Sequence, residues 1–71
     1  MKFRDFIQIL SKHGFELHRQ SGTSHRVYKG RIGGRTRLVV VACHSENDDI
    51  RPGTLASMIR QSGLPKGTFR G

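Results

Sequence analysis

The 71-residue sequence contains one cysteine, no tryptophan and only two prolines. The single cysteine, Cys43, excludes an internal disulfide, and no Cys/His group has zinc-ligand spacing, so we expect a cytoplasmic protein without a metal site. No apolar run approaches the ~20 residues that a membrane-spanning helix needs. The first residues lead into an amphipathic pattern, so we expect neither a signal peptide nor a membrane partner.

Acidic residues are also scarce. Five Asp and Glu residues stand against 13 Lys and Arg, which gives a formal net charge of +8. This balance predicts an anionic partner, which is nucleic acid, an acidic surface or an acidic protein. The basic residues are spread over the whole length, so they do not form a disordered basic tail. A chain this short makes one domain, residues 1–71, with a thin core.

Two segments show the periodicity of helices. Four apolar residues near the start recur at helical spacing: Phe3, Phe6, Ile7 and Leu10. They predict a helix over about residues 2–13, which Gly14 ends. Pro52 suits the first turn of a second helix, which Gly63 ends. Leu64 and Phe69, in the tail, are expected to dock on the core.

The middle of the chain reads as strands and turns. Residues 15–20 begin with alternating apolar and polar side chains, which indicates a half-buried strand, and residues 25–29 form a second strand. Turns are predicted at residues 21–24 and 30–35, and the second turn has its tip at Gly33-Gly34. Residues 37–42 contain four consecutive apolar side chains, which is typical of the best-buried strand of a sheet.

The order of elements is therefore helix, strand, strand, strand, helix. We expect an α+β fold in which a three-stranded antiparallel sheet carries both helices packed on one face. Double-stranded-RNA-binding domains have this layout, and they recognise duplex RNA largely by shape and by phosphate and 2′-hydroxyl contacts.

Four short motifs follow one another along nearly the whole chain: Lys12-His13-Gly14-Phe15, Arg19-Gln20-Ser21-Gly22-Thr23-Ser24-His25 with Tyr28, the apolar third strand ending in His44, and Pro52-Gly53-Thr54-Leu55 with Ile59-Arg60-Gln61-Ser62-Gly63-Leu64. In this order and spacing they resemble the HicA-type mRNA interferase toxins of toxin–antitoxin systems. Thr23 interrupts the family's usual Gly-Ser-His, and Ala42-Cys43 precede His44 where many members have a proline.

The resemblance implies a double-stranded-RNA-binding-like fold, cleavage of mRNA through the histidine that matches His25, and neutralisation by a HicB-type antitoxin. It implies no cofactor. Two other functions stay open from the residues alone. One is a non-catalytic module that binds double-stranded RNA, and the other is a basic interaction domain for an acidic protein.

His25 is the predicted catalytic residue. An imidazole has an unperturbed pKa of about 6.5, which suits proton transfer near neutral pH. RNA carries its own nucleophile, the 2′-hydroxyl, so an enzyme mainly has to move protons and stabilise charge on the phosphate. The alternative is a strand histidine that makes only a structural hydrogen bond.

Five residues around His25 are predicted to bind RNA: Arg19, Ser24, Arg26, Lys29 and Arg31. The alternative is that the cations among them are solvated strand charges. On a strand, His25 and Lys29 share one face, while Arg26 and Tyr28 share the other. We therefore expect Lys29 to work beside His25.

Several residues keep two interpretations. Either Tyr28 or Val27 points inward, and Tyr28 belongs to the core or serves as a stacking platform for bases. His44 is a second proton carrier or a loop cap. Cys43 is interpreted as small filler near a strand end, and the remaining histidines as surface residues.

Overall fold

The computed structural model describes residues 1–22 and 24–69, so Thr23, in the first predicted turn, lies outside the described residues. The elements follow the predicted order, with one short addition at the end: α1 (Phe3–Lys12), β1 (Glu16–Ser21), β2 (His25–Ile32), β3 (Arg35–Ala42), α2 (Pro52–Ser62) and a 3-10 helix (Lys66–Phe69). The three strands form one antiparallel sheet in the order β1-β2-β3. The α+β fold expected from the sequence is confirmed.

The sheet has an inner face and an outer face. Tyr28 of β2 pairs with Val39 of β3 on the inner face, and both are buried, as is Val41. The buried side chains of both helices, among them Phe6 and Met58, belong to the same core cluster. Both helices therefore cover the inner face, and Tyr28 is the inward residue of the two that the sequence left open.

The outer face carries the alternate residues of the strands. On β2 these are His25, Val27, Lys29 and Arg31, and on β3 they include Leu38 and Val40. No described helix packs over them, and Leu38 and Val40 are 49% and 45% exposed. The four-residue apolar run of β3 is therefore buried only at alternate positions, because only one face of the sheet is covered.

The second turn is shorter than predicted. β2 continues to Ile32 and β3 begins at Arg35, so only Gly33 and Gly34 lie between them. Both glycines have positive φ, 62° and 79°, which is the backbone of the tight two-residue hairpins that match the twist of a sheet. Strand pairing therefore continues up to these two glycines. The predicted tip at Gly33-Gly34 is confirmed, but the predicted span of the turn, residues 30–35, is too long.

β1 is exposed along its whole length, although alternation predicted a half-buried strand. It lies at the edge of the sheet, and its register with β2 shifts between Leu17 and Arg19. The opposite edge is partly covered, because the backbone N–H of Val40 donates to the side-chain oxygen of Gln61 on α2 at 2.9 Å. The two edges of the sheet are therefore not equivalent.

The tail closes the core against α1. The ring of Phe69 stacks on that of Phe6 with centroids 4.8 Å apart, and both are buried. The predicted docking of Phe69 is confirmed. In the described part of the chain, neither helix has the length and apolar character required to span a bilayer.

Gly30 carries a tight packing contact between β2 and the chain that leaves α1. A Cβ atom at this position would lie 2.7 Å from the ring of Phe15, which is itself buried. Gly30→Ala should therefore lower the free energy of unfolding by about 1–3 kcal/mol, because the ring has to move within a packed core. Urea unfolding followed by circular dichroism measures this.

Gly53 provides the matched control. It lies in the first turn of α2, and a Cβ there would meet no atom within 4 Å. Gly53→Ala is expected to be neutral or slightly stabilising, because alanine favours helix. Equal stability of the two variants would mean that the Phe15 ring does not constrain position 30.

Candidate functional site

His25 opens the central strand of the sheet and stands on its outer face. In the sheet register it lies between Ser21 of β1 and Ala42 of β3, and its side chain is exposed. The backbone beside it is held, because the carbonyl of Ser24 accepts a hydrogen bond from the N–H of Cys43 at 2.9 Å. This position gives solvent and ligands direct access to a histidine on a fixed backbone.

The hydroxyl group of Ser24 lies next to the imidazole of His25. Its Oγ lies 3.5 Å from Nδ1 of His25, at the long limit of a hydrogen bond. Either atom can donate, depending on the histidine tautomer. A contact this long holds the imidazole only weakly.

Three predicted RNA-binding cations share the outer face with His25. Arg19 of β1 pairs with Val27, which lies two residues from His25 on β2 and on the same face. Lys29 lies four residues along β2 from His25, roughly 13 Å between Cα atoms in an extended strand, and Arg31 lies two residues further. All three are exposed. Of these three cations, Arg19 therefore lies nearest to His25 in the sheet register, whereas the sequence predicted Lys29.

Arg26 is directed to the other side of the sheet. Its Nη1 lies 2.8 Å from Oε2 of Glu46, and the Arg26 side chain is only 22% exposed. The Glu46 carboxylate, followed by the Tyr28 hydroxyl, raises the pKa of the Arg26 guanidinium. The predicted sharing of a face by Arg26 and Tyr28 is confirmed, but the pairing with Glu46 was not anticipated.

Glu46 belongs to the acidic loop between β3 and α2, and this loop supports the start of α1. The N–H groups of Arg4 and Phe3 donate to the carbonyls of Glu46 and Asp48, at 2.8 and 3.1 Å. These two donors would otherwise lack partners at the helix start. One loop thus joins Arg26, beside the histidine, to the N-terminus of α1.

His44 stands in the same loop, directly after β3. It is exposed and lines an open groove of about 550 Å³ together with residues of the loop and both helix starts: Phe3, Ala42, Cys43, Asp48, Asp49, Arg51 and Thr54. Because Ala42 pairs with His25, the two histidines lie at the same end of the sheet. A role for His44 beside His25 stays a prediction.

Cys43 is buried and free. Burial raises the pKa of its thiol, with the nearby Arg26 acting in the opposite direction. A thiol with a raised pKa carries little thiolate at neutral pH and is a poor nucleophile. Cys43 therefore fits the predicted role of filler.

In the part of the chain that the structure describes, the surface offers no aromatic platform for bases. The chain contains four phenylalanines and one tyrosine, and each is at most 7% exposed. Tyr28 thus belongs to the core. Within residues 1–22 and 24–69, no group of three His, Cys, Asp or Glu side chains is arranged to hold a metal ion.

One comparison with known proteins gave a match. The family model described as "HicA toxin of bacterial toxin-antitoxin" matches residues 3–64, which include α1, the whole sheet and α2. Comparisons with curated proteins and with solved structures gave no match.

The Arg26–Glu46 pair predicts a stability effect that a solvated charge would not have. Arg26→Gln should lower the free energy of unfolding by about 1–2 kcal/mol, because the loop loses a charged hydrogen bond that is partly shielded from water. Arg31→Gln is the control, since Arg31 is exposed on the same strand and donates a hydrogen bond within its own turn, to the carbonyl of Gly34 at 3.3 Å. Thermal unfolding compares the two. If both variants melted like the wild type, the ion pair would not hold the loop.

Proposed function

This chain belongs to the HicA toxin family of bacterial toxin–antitoxin systems, and we propose that it is an endoribonuclease that cleaves mRNA with His25. The observation that carries the proposal is the position of His25, exposed at the start of the central strand on a face bearing Arg19, Lys29 and Arg31. We further propose that it acts in the cytoplasm and that a HicB-type antitoxin neutralises it.

The chemistry follows from the RNA itself. A base removes the proton of a 2′-hydroxyl, whose oxygen attacks the adjacent phosphorus. The bond from phosphorus to the 5′-oxygen breaks, and that oxygen takes a proton from an acid. His25 carries one of these two proton transfers. His44, at the same end of the sheet, is the candidate for the other.

The cations stabilise the negative charge that builds up on the attacked phosphate and hold the strand. Arg19 pairs with the residue two positions from His25, so its guanidinium is placed to contact the reacting phosphate. Lys29 and Arg31 lie further along β2 and contact neighbouring phosphates of the strand. Ser24 contacts RNA beside the imidazole. Arg26, whose side chain is 22% exposed beside Glu46, contributes from the edge of the site.

Binding rests on the phosphate backbone. The net charge is +8, which favours contacts with phosphate groups. All five aromatic residues are buried, so none of their rings is available for bases to stack on. Such a site recognises RNA by its backbone and shape.

A second candidate is a module that binds double-stranded RNA without cutting it. The order α-β-β-β-α with helices on one face favours it, because this is the layout of double-stranded-RNA-binding domains. RNA shift in a gel without cleavage would support this module over the enzyme.

His25→Ala should abolish cleavage and leave folding and RNA binding nearly intact. Losing a positioned acid or base costs about 10²–10⁴ in rate, whereas an exposed histidine contributes little to stability. His18→Ala is the matched control, because His18 is also exposed but lies on the edge strand. Cleavage, RNA affinity and thermal unfolding are measured on each variant.

A His25→Ala variant that cleaved like the wild type would end the catalytic role. A variant that melted several degrees lower would instead indicate a structural histidine.

Cleavage should continue in EDTA. The 2′-hydroxyl serves as the nucleophile and histidine moves the protons, so the mechanism requires no metal-bound water. The products should carry 2′,3′-cyclic phosphate and 5′-hydroxyl ends, which mass spectrometry of a short RNA distinguishes. Activity lost in EDTA and restored by Mg²⁺, with 5′-phosphate ends, would refute this mechanism.

A further inference from the structure

The groove of about 550 Å³ that His44 lines, here called the His44 groove, opens beside the candidate catalytic residue. Ala42 forms part of its wall and is also the partner of His25 in the sheet register. Directly paired residues of antiparallel strands have Cα atoms roughly 5 Å apart. An RNA strand whose phosphate contacts His25 is therefore able to continue into the groove.

The His44 groove has an apolar floor and a polar rim. Phe3 and Cys43 line it and are buried, at 7% and 4% exposed, so they form the floor. Asp48, Asp49 and Arg51 line it and are exposed, so they form the rim. Sites for small organic ligands have volumes of about 300–1,000 Å³. The groove is thus large enough for one nucleotide.

The rim carries both signs of charge. Arg51 is suited to a phosphate, but the carboxylates of Asp48 and Asp49 repel one. Neither carboxylate forms a salt bridge with a described residue, because the ion pair of this loop joins Glu46 to Arg26. Their oxygens therefore remain available as acceptors for a ligand that brings N–H donors.

An unpaired base brings such donors on its Watson–Crick edge, which is the edge that proteins read in single-stranded RNA. Guanine presents two neighbouring donors, N1–H and N2–H, which match the two oxygens of a carboxylate. Adenine and cytosine place an acceptor beside their amino group, and uracil has an acceptor on each side of its N–H. A carboxylate at the rim therefore favours guanine over the other three bases.

We propose that the His44 groove binds one unpaired guanine of the RNA next to the cleavage position, with Asp48 and Asp49 accepting hydrogen bonds from its N–H groups and Arg51 holding the adjoining phosphate. The inference rests on the proposed function in taking RNA as the ligand. It adds selection of a base to an outer face that contacts only the backbone.

The test measures the affinity of the purified chain for short single-stranded oligouridines, either unmodified in sequence or with one central guanosine, adenosine or cytidine. Their 2′-hydroxyls carry methyl groups, so the RNA stays intact while fluorescence anisotropy is recorded. We expect the guanosine oligonucleotide to bind about tenfold more tightly than each of the other three, equivalent to ~1.4 kcal/mol.

The variant Asp48→Asn with Asp49→Asn assigns this preference to the groove. An amide offers one donor beside one acceptor, which matches adenine or cytosine rather than guanine. The guanosine preference should therefore disappear. The readout is the ratio of affinities, because removing negative charge raises the affinity for any RNA.

Asp5→Asn is the matched control. Asp5 is also an exposed acid, but it lies on α1 and does not line the His44 groove. The guanosine preference of this variant should stay within about twofold of the wild type, which is ~0.4 kcal/mol. Circular dichroism verifies that each variant is folded.

Arg51→Gln tests the phosphate contact. The loss of one contact with a single strand should reduce the slope of log affinity against log salt by about 0.7 and leave the guanosine preference in place. Arg60→Gln is its control, because Arg60 is exposed at the other end of α2 and should leave the slope unchanged.

Equal affinity of the wild type for the four oligonucleotides overturns the proposal, as does a guanosine preference that the double Asn variant retains or that Asp5→Asn removes. The first comparison uses the wild type, so it decides the proposal whatever the stability of the variants. Cleavage is measured separately on unmethylated RNA. A chain that prefers guanosine but cleaves nothing refutes the ribonuclease proposal and leaves the groove assigned, whereas cleavage without base preference does the reverse.

Discussion

Two helices cover one face of a three-stranded sheet, so the alternation of side chains along each strand decides what stays accessible. Residues that alternate with Tyr28 on β2 stand outside, and these include His25 and Lys29. The core is built from the other set, with Val39 and Val41 fully buried. The register of this one strand thus leaves a histidine exposed and buries a tyrosine.

The loop from Cys43 to Ile50 provides the second link between stability and site. Its carbonyls hold the first N–H groups of α1, and its Glu46 holds Arg26, the residue that follows His25. The positive end of the helix dipole favours acidic residues nearby, which accounts for an acidic loop in a basic chain. This loop therefore connects the residue that follows His25 to the start of α1.

Local pattern in the sequence was enough to predict most of the fold. Helical spacing identified α1, and alternation placed Arg26 with Tyr28 and His25 with Lys29. The misses have nonlocal causes. Gly30 was assigned to a turn, but it is a strand residue whose missing side chain makes room for Phe15, 15 positions earlier. The pairing of Arg26 with Glu46 spans 20 residues and leaves no local pattern.

The outer face combines two kinds of chemistry, which are positive charge and exposed apolar surface. Arg19, Lys29 and Arg31 attract any anionic ligand, so charge alone does not distinguish mRNA from an acidic protein. Val27, Leu38 and Val40 contribute to binding only when water is displaced by another apolar surface, which a protein offers and a phosphate backbone does not. Because screening by salt weakens charge contacts more than apolar ones, higher ionic strength favours a ligand that also offers apolar surface.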